Sequence, residues 1–240
     1  MKALILAGGK GLRLRPLTDD KPKPLVAVAG KPIAEWQLDW LRANVDLEEV
    51  VFLCGWKWER LKEHFGGDYR GVKVDYSVEE VPLGTGGAFR KAIVEKGIGD
   101  EDVAMLNGDI ITDLKLGDMV EARRKAKPSP AIALLLVPYK SRFGIVHIDK
   151  NNFVSSFDEK PAFPDVWING GIYVGNAKRL LKDLPEKGDI ERETFPKLAA
   201  SGQVMAYPYG GFWSLVDSVK DIQEVESELK ARPGRTPSRA

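Results

Sequence analysis

The chain has 240 residues, 43% hydrophobic and 30% charged, which suits one large globular unit and excludes disorder, collagen and coiled coil. Lys and Arg number 36 against 35 Asp and Glu, a net charge of +1, so the basic excess of a general nucleic-acid or anionic-membrane binder is absent. One cysteine, Cys54, rules out a disulfide framework and a multi-cysteine zinc site, and fits a reducing compartment. In chain order, Ala3–Leu6 predicts a short buried strand, since it is apolar, brief and stopped by glycines. That apolar run is too short for a signal peptide or a membrane span, so a cytoplasmic protein is expected.

The 3–4 spacing of apolar residues from Trp36 to Leu41 predicts a helix, Val50–Cys54 a second strand and Trp58–Phe65 a second helix. Val72–Ser77 alternates as a half-buried strand, Ala88–Lys96 reads as a helix, and Val103–Leu106 as a buried strand that ends in Asn107-Gly108-Asp109. Strands and helices alternating at these lengths predict βαβ units and a mostly parallel sheet, with ligands at the carboxyl ends of the strands. Past residue 130 the texture changes. Ala131–Val137 is one more apolar strand, and Phe143–Ile148 and Phe153–Phe157 flank a polar turn as a hairpin. Ile168–Val174 and Val204–Tyr207 are expected as strands, Ala177–Leu184 and Val219–Lys230 as helices. The expectation is one α/β domain over 1–230, with residues 1–110 built for one ligand and 111–230 for another. Residues 231–240 hold Pro, Gly and no apolar side chain larger than Ala, which predicts a flexible tail.

The strongest chemical signal follows the first strand. Leu6-Ala7-Gly8-Gly9-Lys10-Gly11 leads into Arg13, Arg15 and then Pro22-Lys23-Pro24. Glycines let backbone N–H groups approach phosphate oxygens, and Arg or Lys neutralises the charge. A Walker loop fails on spacing, and a dinucleotide fingerprint fails because prolines follow where a helix should start.

Read as G-G-x-G-x-R-L-x-P-L-T from Gly8 to Thr18 and then P-K-P, this segment resembles the sugar-1-phosphate nucleotidylyltransferases. The likeness continues through Glu79–Gly87, Asn107-Gly108-Asp109, Phe143–Val146, Asp158-Glu159-Lys160-Pro161 and Ile168–Gly171, in the family's order over about residues 2–225. The resemblance implies a Rossmann-like α/β/α sandwich with a mixed, mostly parallel sheet, Mg²⁺ dependence, and transfer of NMP from an NTP to a sugar 1-phosphate with release of pyrophosphate. Its motifs are closest to guanylyltransferases for mannose or heptose 1-phosphate. Uridylyl, thymidylyl or cytidylyl transfer, or a non-catalytic nucleotide-sugar sensor, are the alternatives.

By the same resemblance, Leu6, Ala7, Gly8, Gly9, Gly11 and Gly84 line the nucleotide, and Arg13 faces the leaving β,γ-phosphates. Lys23 contacts the α-phosphate or the sugar phosphate, and Asp109 is a metal ligand. Gly144, Glu159 and Asn169 hydrogen-bond sugar hydroxyls, while Lys160 meets the sugar phosphate. Glu79 is the expected base-reading residue, since a carboxylate accepts from both guanine N1–H and its 2-amino group. For the second metal ligand the commoner W-x-D-x-G pattern is broken, because Leu215 stands where the Asp belongs. Asp217, in the W-x-x-x-D spacing of glucose-1-phosphate cytidylyltransferases, is the substitute, with a helix N-cap as its other reading. The inventory suits this reaction independently. A sugar-phosphate oxygen is already anionic, so no general base is needed, and Cys54, His64 and His147 are assigned to core or surface. A stand-alone enzyme is expected, since no hexapeptide repeat follows residue 225, and a homodimer fits the family.

Overall fold

The computed structural model describes residues 1–232. The first half runs β1 (Lys2–Ala7), β2 (Ala27–Val28), β3 (Lys31–Pro32), α1 (Ile33–Asn44), β4 (Glu49–Cys54), α2 (Trp58–Phe65), β5 (Asp68–Tyr69), β6 (Val72–Val78), α3 (Gly84–Glu95) and β7 (Asp102–Asn107). The second half runs β8 (Ile110–Thr112), α4 (Leu116–Lys125), β9 (Ile132–Lys140), β10 (Ile145–Ile148), β11 (Val154–Asp158) and β12 (Ala162–Asn176). It closes with α5 (Ala177–Leu180), α6 (Phe195–Ala200), β13 (Val204–Pro208), β14 (Trp213–Leu215) and α7 (Val219–Ala231).

Eight strands form the central sheet in the order β13-β9-β12-β7-β1-β4-β6-β5. Pairs β7–β1, β1–β4, β4–β6 and β9–β13 are parallel, whereas β12 runs antiparallel between β7 and β9. The sheet is therefore mixed and mostly parallel. Successive side chains of one strand serve opposite faces. Ala3, Ile5 and Ala7 join a core with Leu38, Trp40 and Leu41 of α1, Leu61 and Phe65 of α2 and Met119 of α4. Leu4 joins the other core with Phe89 and Ile93 of α3, Leu180 of α5 and Leu198 of α6. This double burial explains why β1 reads as a continuous apolar run rather than an alternating one. A third cluster packs Leu14, Val26 and Trp36 against Phe212, Val216, Ile222 and Val225, and so ties the segment after the glycines to α7.

Some boundaries differ from the sequence reading. The helix predicted from Ala88 begins at Gly84, because the carbonyl of Gly188 accepts from the N–H groups of Gly86 and Gly87 and compensates for their low helix propensity. The helix predicted to Leu184 ends at Leu180 and continues as turns toward Pro185, which disfavours helix just before it. Helix α4 was not expected from so polar a segment. Of the tail expected over 231–240, Ala231 instead closes α7 and Arg232 lies over the Phe212 ring at 5.3 Å. The rest of that expectation lies outside the described residues.

Candidate active site

Strand β1 is the switch point of the sheet: the chain adds β4 and β6 on one side of it, then returns to place β7 on the other. The loops leaving β1 and β7 thus diverge around a crevice, the place where open α/β sheets bind ligands. Gly11 adopts the left-handed conformation (φ 59°), and its carbonyl accepts from the Thr18 hydroxyl at 2.8 Å, which folds the loop back over its own start. At the tip of β7, a side chain on Gly108 would collide with the carbonyl oxygen of Leu6, so only glycine lets the two loops approach.

Four charged groups meet there. Lys23 Nζ donates to Asp109 Oδ2 at 2.6 Å and to Asp217 Oδ1 at 2.9 Å, and an Arg13 guanidinium nitrogen lies 2.5 Å from Asp217 Oδ2. The Lys23, Asp109 and Asp217 side chains are only 14%, 22% and 12% exposed, so water screens their interaction weakly, whereas Arg13 reaches Asp217 from the solvent side, 74% exposed. Pairing of β14 with β8 delivers Asp217 to this point: Leu215 lies opposite Ile110, and Val216 N–H donates to the Asp109 carbonyl at 2.8 Å. The helix-cap reading of Asp217 is not what the fold uses. Ser218 caps α7 through a bond from Asp221 N–H at 3.2 Å, and the Asp217 carboxylate faces Arg13 and Lys23 instead.

The donor set fits Mg²⁺, which takes hard oxygen ligands from one or two carboxylates and leaves its other positions to water and phosphate. Asp109 Oδ1 is buried without a partner, an acceptor held in reserve. Among the described residues no group of three or more His, Cys, Asp or Glu assembles, so an all-protein cage is not built here.

Glu79 follows β6 and reaches the glycine loop. A Cβ on Gly8 would lie 2.8 Å from its Oε1, and one on Gly55, 3.3 Å. Its other oxygen accepts from Leu83 N–H at 3.1 Å. Burial pushes its carboxyl above the ordinary glutamate range, opposed by that hydrogen bond and by Lys91. Neighbouring Glu80 is exposed. Gly84 (φ 78°) packs against the backbone of Gly188 at the start of α3, so its lack of a side chain serves that contact.

In the second half, Gly144 is crowded by the Phe157 ring and by Glu159, which share the β10–β11 hairpin. Glu159 and Lys160 are exposed, and Lys160 has φ 48°. Asn169 accepts from Gly171 N–H at 2.9 Å and donates to Tyr173 Oη at 2.9 Å. Its segment touches the charge cluster's scaffold, since Gly171 lies against Asn107 and the Gly170 carbonyl accepts from Trp213 Nε1 at 2.8 Å. Tyr173 was missed as a site-building residue, and Trp213, the anchor of the W-x-x-x-D spacing in the sequence, also builds the site through its indole N–H. His64 pairs with Glu35, His147 is exposed on the hairpin, and burial pushes the Cys54 thiol up to about 12. None of the three joins the cluster.

The profile of the nucleotidyl transferase family matches residues 2–232. The chain is 35% identical to the mannose-1-phosphate guanylyltransferase catalytic subunit beta of Dictyostelium discoideum over 228 residues, 92% of this chain and 62% of that protein. It thus spans about three fifths of that relative's length. It is 30% identical to the D-glycero-alpha-D-manno-heptose 1-phosphate guanylyltransferase of Aneurinibacillus thermoaerophilus over 231 residues, covering 96% of this chain and 99% of that one. Among solved structures, HddC from Yersinia pseudotuberculosis superimposes with a TM-score of 0.74 at 26% identity, covering 95% of this chain and 99% of the other.

Proposed function

The chain belongs to the nucleotidyl transferase family, and from that premise we propose that it transfers NMP from an NTP to a sugar 1-phosphate, with GTP and mannose or heptose 1-phosphate as the substrates. The observation that carries the reading is the Lys23–Asp109–Asp217–Arg13 network at the switch point, beside a glycine loop able to receive phosphates. An oxygen of the sugar 1-phosphate attacks the α-phosphorus, the bond from that phosphorus to the bridging oxygen breaks, and pyrophosphate leaves. No proton has to move, since the attacking oxygen is already anionic. The protein's task is to position two anions in line and to spread the charge that develops.

Each group has a part in that task. Backbone of Leu6–Gly9 and Gly11 holds the nucleotide, and Glu79 accepts from the guanine edge. Arg13, long and solvent-facing, meets the β,γ-phosphates. Lys23 exchanges its carboxylate partners for phosphate oxygens. Asp109 and Asp217 would hold Mg²⁺, which when bound supplies charge neutralisation and Lewis acidity at the phosphates. Gly144, Glu159 and Asn169 meet the sugar hydroxyls, and Lys160 its phosphate.

A second reading, cytidylyl transfer, is favoured by the Trp213-x-x-x-Asp217 spacing that puts Asp217 in the cluster. A panel of NTPs against sugar 1-phosphates, with Mg²⁺ and pyrophosphate release as the signal, tests both. GTP with mannose or heptose 1-phosphate is expected to have the highest kcat/KM. CTP with glucose 1-phosphate in first place would install the second reading, and binding of a nucleotide sugar without any turnover would make the chain a sensor. No described helix is long and apolar enough to cross a membrane. A cytoplasmic homodimer completes the proposal, checked by fractionation and by light scattering of the purified chain.

A further inference from the structure

We infer that Gln37, which belongs to none of the sequence motifs of the site, is the positioning residue that fixes the Asp109 carboxylate, an inference that rests on Asp109 being a metal ligand. Gln37 sits in the middle of α1 and is 2% exposed. Its Nε2 donates to the carbonyl of Asn107 at 2.8 Å and to that of Ile110 at 3.1 Å. Those two carbonyls bracket Gly108 and Asp109. A primary amide carries two N–H bonds on one nitrogen, so a single side chain satisfies both and pins both ends of the turn.

Packing does not explain the choice of residue. Its helix neighbours Trp36, Leu38, Trp40 and Leu41 are all buried apolar residues, and at a site as buried a Met or Leu would fill much the same volume without the cost of desolvating an amide. Its own Oε1 is buried with no partner, so the amide is kept there although only half of it is satisfied. What it gains is the turn. From the other side, Val216 N–H holds the Asp109 carbonyl, so Asp109 is tethered by α1 beneath and by the β14 segment above. The same helix face continues the clamp. Trp40 Nε1 donates to the Leu114 carbonyl at 2.7 Å and Asn44 Oδ1 accepts from Leu116 N–H at 3.2 Å, with 37, 40 and 44 spaced as one helical stripe. Groups that orient metal ligands from behind typically change metal affinity or activity by about 10–100-fold when removed.

The test uses the full chain with Gln37→Met, which keeps the volume and removes both donors, and Gln37→Glu, which keeps the shape and turns acceptors toward the carbonyls. Trp40→Phe serves as the control, because it loses the equivalent bond farther from Asp109. Two readouts are taken: the Mg²⁺ concentration giving half-maximal turnover, and Mn²⁺ binding by electron paramagnetic resonance with no substrate present. The half-maximal Mg²⁺ concentration and the Mn²⁺ dissociation constant should each rise about tenfold in both Gln37 variants and stay at the wild-type value in Trp40→Phe, with the KM for sugar phosphate unmoved. An unchanged metal dependence in a folded Gln37 variant overturns the inference, and so does an equal shift in Trp40→Phe. If neither Gln37 variant folds, the residue is a core-stability element and the inference falls. If no substrate pair turns over in the wild type, the proposed reaction fails, while the Mn²⁺ titration still decides the role of Gln37. A wild-type chain that binds no Mn²⁺ also overturns it.

Discussion

Around the carboxyl ends of β1 and β7, charged side chains are joined to one another and backed by core, whereas on the β10–β11 hairpin polar and apolar groups alike face solvent. Lys23 spans two carboxylates, but Glu159 and Lys160 stand exposed on an arm whose two strands pair with each other outside the central sheet. Even Val146, Ile148, Val154 and Phe157 of that arm are more than two fifths exposed. A two-stranded hairpin is marginal by itself, so its arrangement is open to what it touches. The difference teaches where preorganisation is needed. Charge stabilisation in a transition state works when the charges are already placed and need no rearrangement. On the proposed reading, the sugar hydroxyls meet the exposed arm rather than the buried cluster.

The largest effect expected from breaking this contrast lies in the cluster. Asp109→Asn and Asp217→Asn should each lower Mg²⁺-dependent kcat on the order of 10³-fold with the fold retained, read by pyrophosphate release and circular dichroism. Near-normal kcat in Asp217→Asn would leave Asp109 as the sole carboxylate of the site. Arg13→Ala comes next, on the order of 10²-fold in kcat, with less effect on the sugar-phosphate KM if Arg13 meets the β,γ-phosphates as proposed. On the arm, Glu159→Ala should act the other way, raising the sugar-phosphate KM roughly tenfold while the KM for GTP stays put. A kcat loss as large as that of Asp109→Asn would erase the distinction between the two regions.

Glu79 sharpens the comparison from the nucleotide side. Glu79→Gln should cut the preference for GTP over UTP by about 10-fold or more, as losing one of two acceptors at a base edge does. Burial disfavours its ionised form, so its folded pKa is raised and the carboxylate becomes protonated at a higher pH than an ordinary glutamate. GTP preference should therefore fade as pH drops through that raised value, and the fading should vanish in Glu79→Gln. The linkage runs in the matching direction. Protonated Glu79 is the form the fold favours, so its contribution to stability is complete below the unfolded pKa and is lost as pH rises through the folded one. The smallest effect belongs to Cys54: with its thiol pushed up to about 12 and buried in β4, it should resist thiol reagents at pH 8 with no change in kcat, as a colorimetric thiol titration would show.

Much of this was legible in the chain itself. Trp58–Phe65 forms a helix over the span its apolar spacing predicts, and the strands at Val50–Cys54 and Val103–Leu106 each gain only a flanking residue or two. The hairpin about Asp149–Asn152 was legible too, from its polar turn. These are local signals, set by periodicity, by glycine and proline, and by the burial of both faces of a parallel strand. Gln37 was not legible in its role, and Trp213 was legible as the anchor of the W-x-x-x-D spacing but not as the donor to the Gly170 carbonyl. A glutamine within an apolar helix face reads as core until its partner is known.

By itself, then, the sequence determined the strand–helix alternation, the glycine loop after β1 with cations behind it, and the carboxylate at the tip of β7, because each depends on neighbours a few residues away. Only the tertiary structure decided that β12 enters antiparallel between β7 and β9, and that β14 pairs with β8. That second pairing sets Asp217 at Lys23, 194 positions away, while Lys23 also bridges to Asp109, 86 positions further along the chain than itself. Strand pairing is chosen by the joint burial of distant faces and by register, neither of which a local pattern contains. For that reason Asp217 stood open between ligand and cap in the sequence, and stands within the charge cluster in the fold.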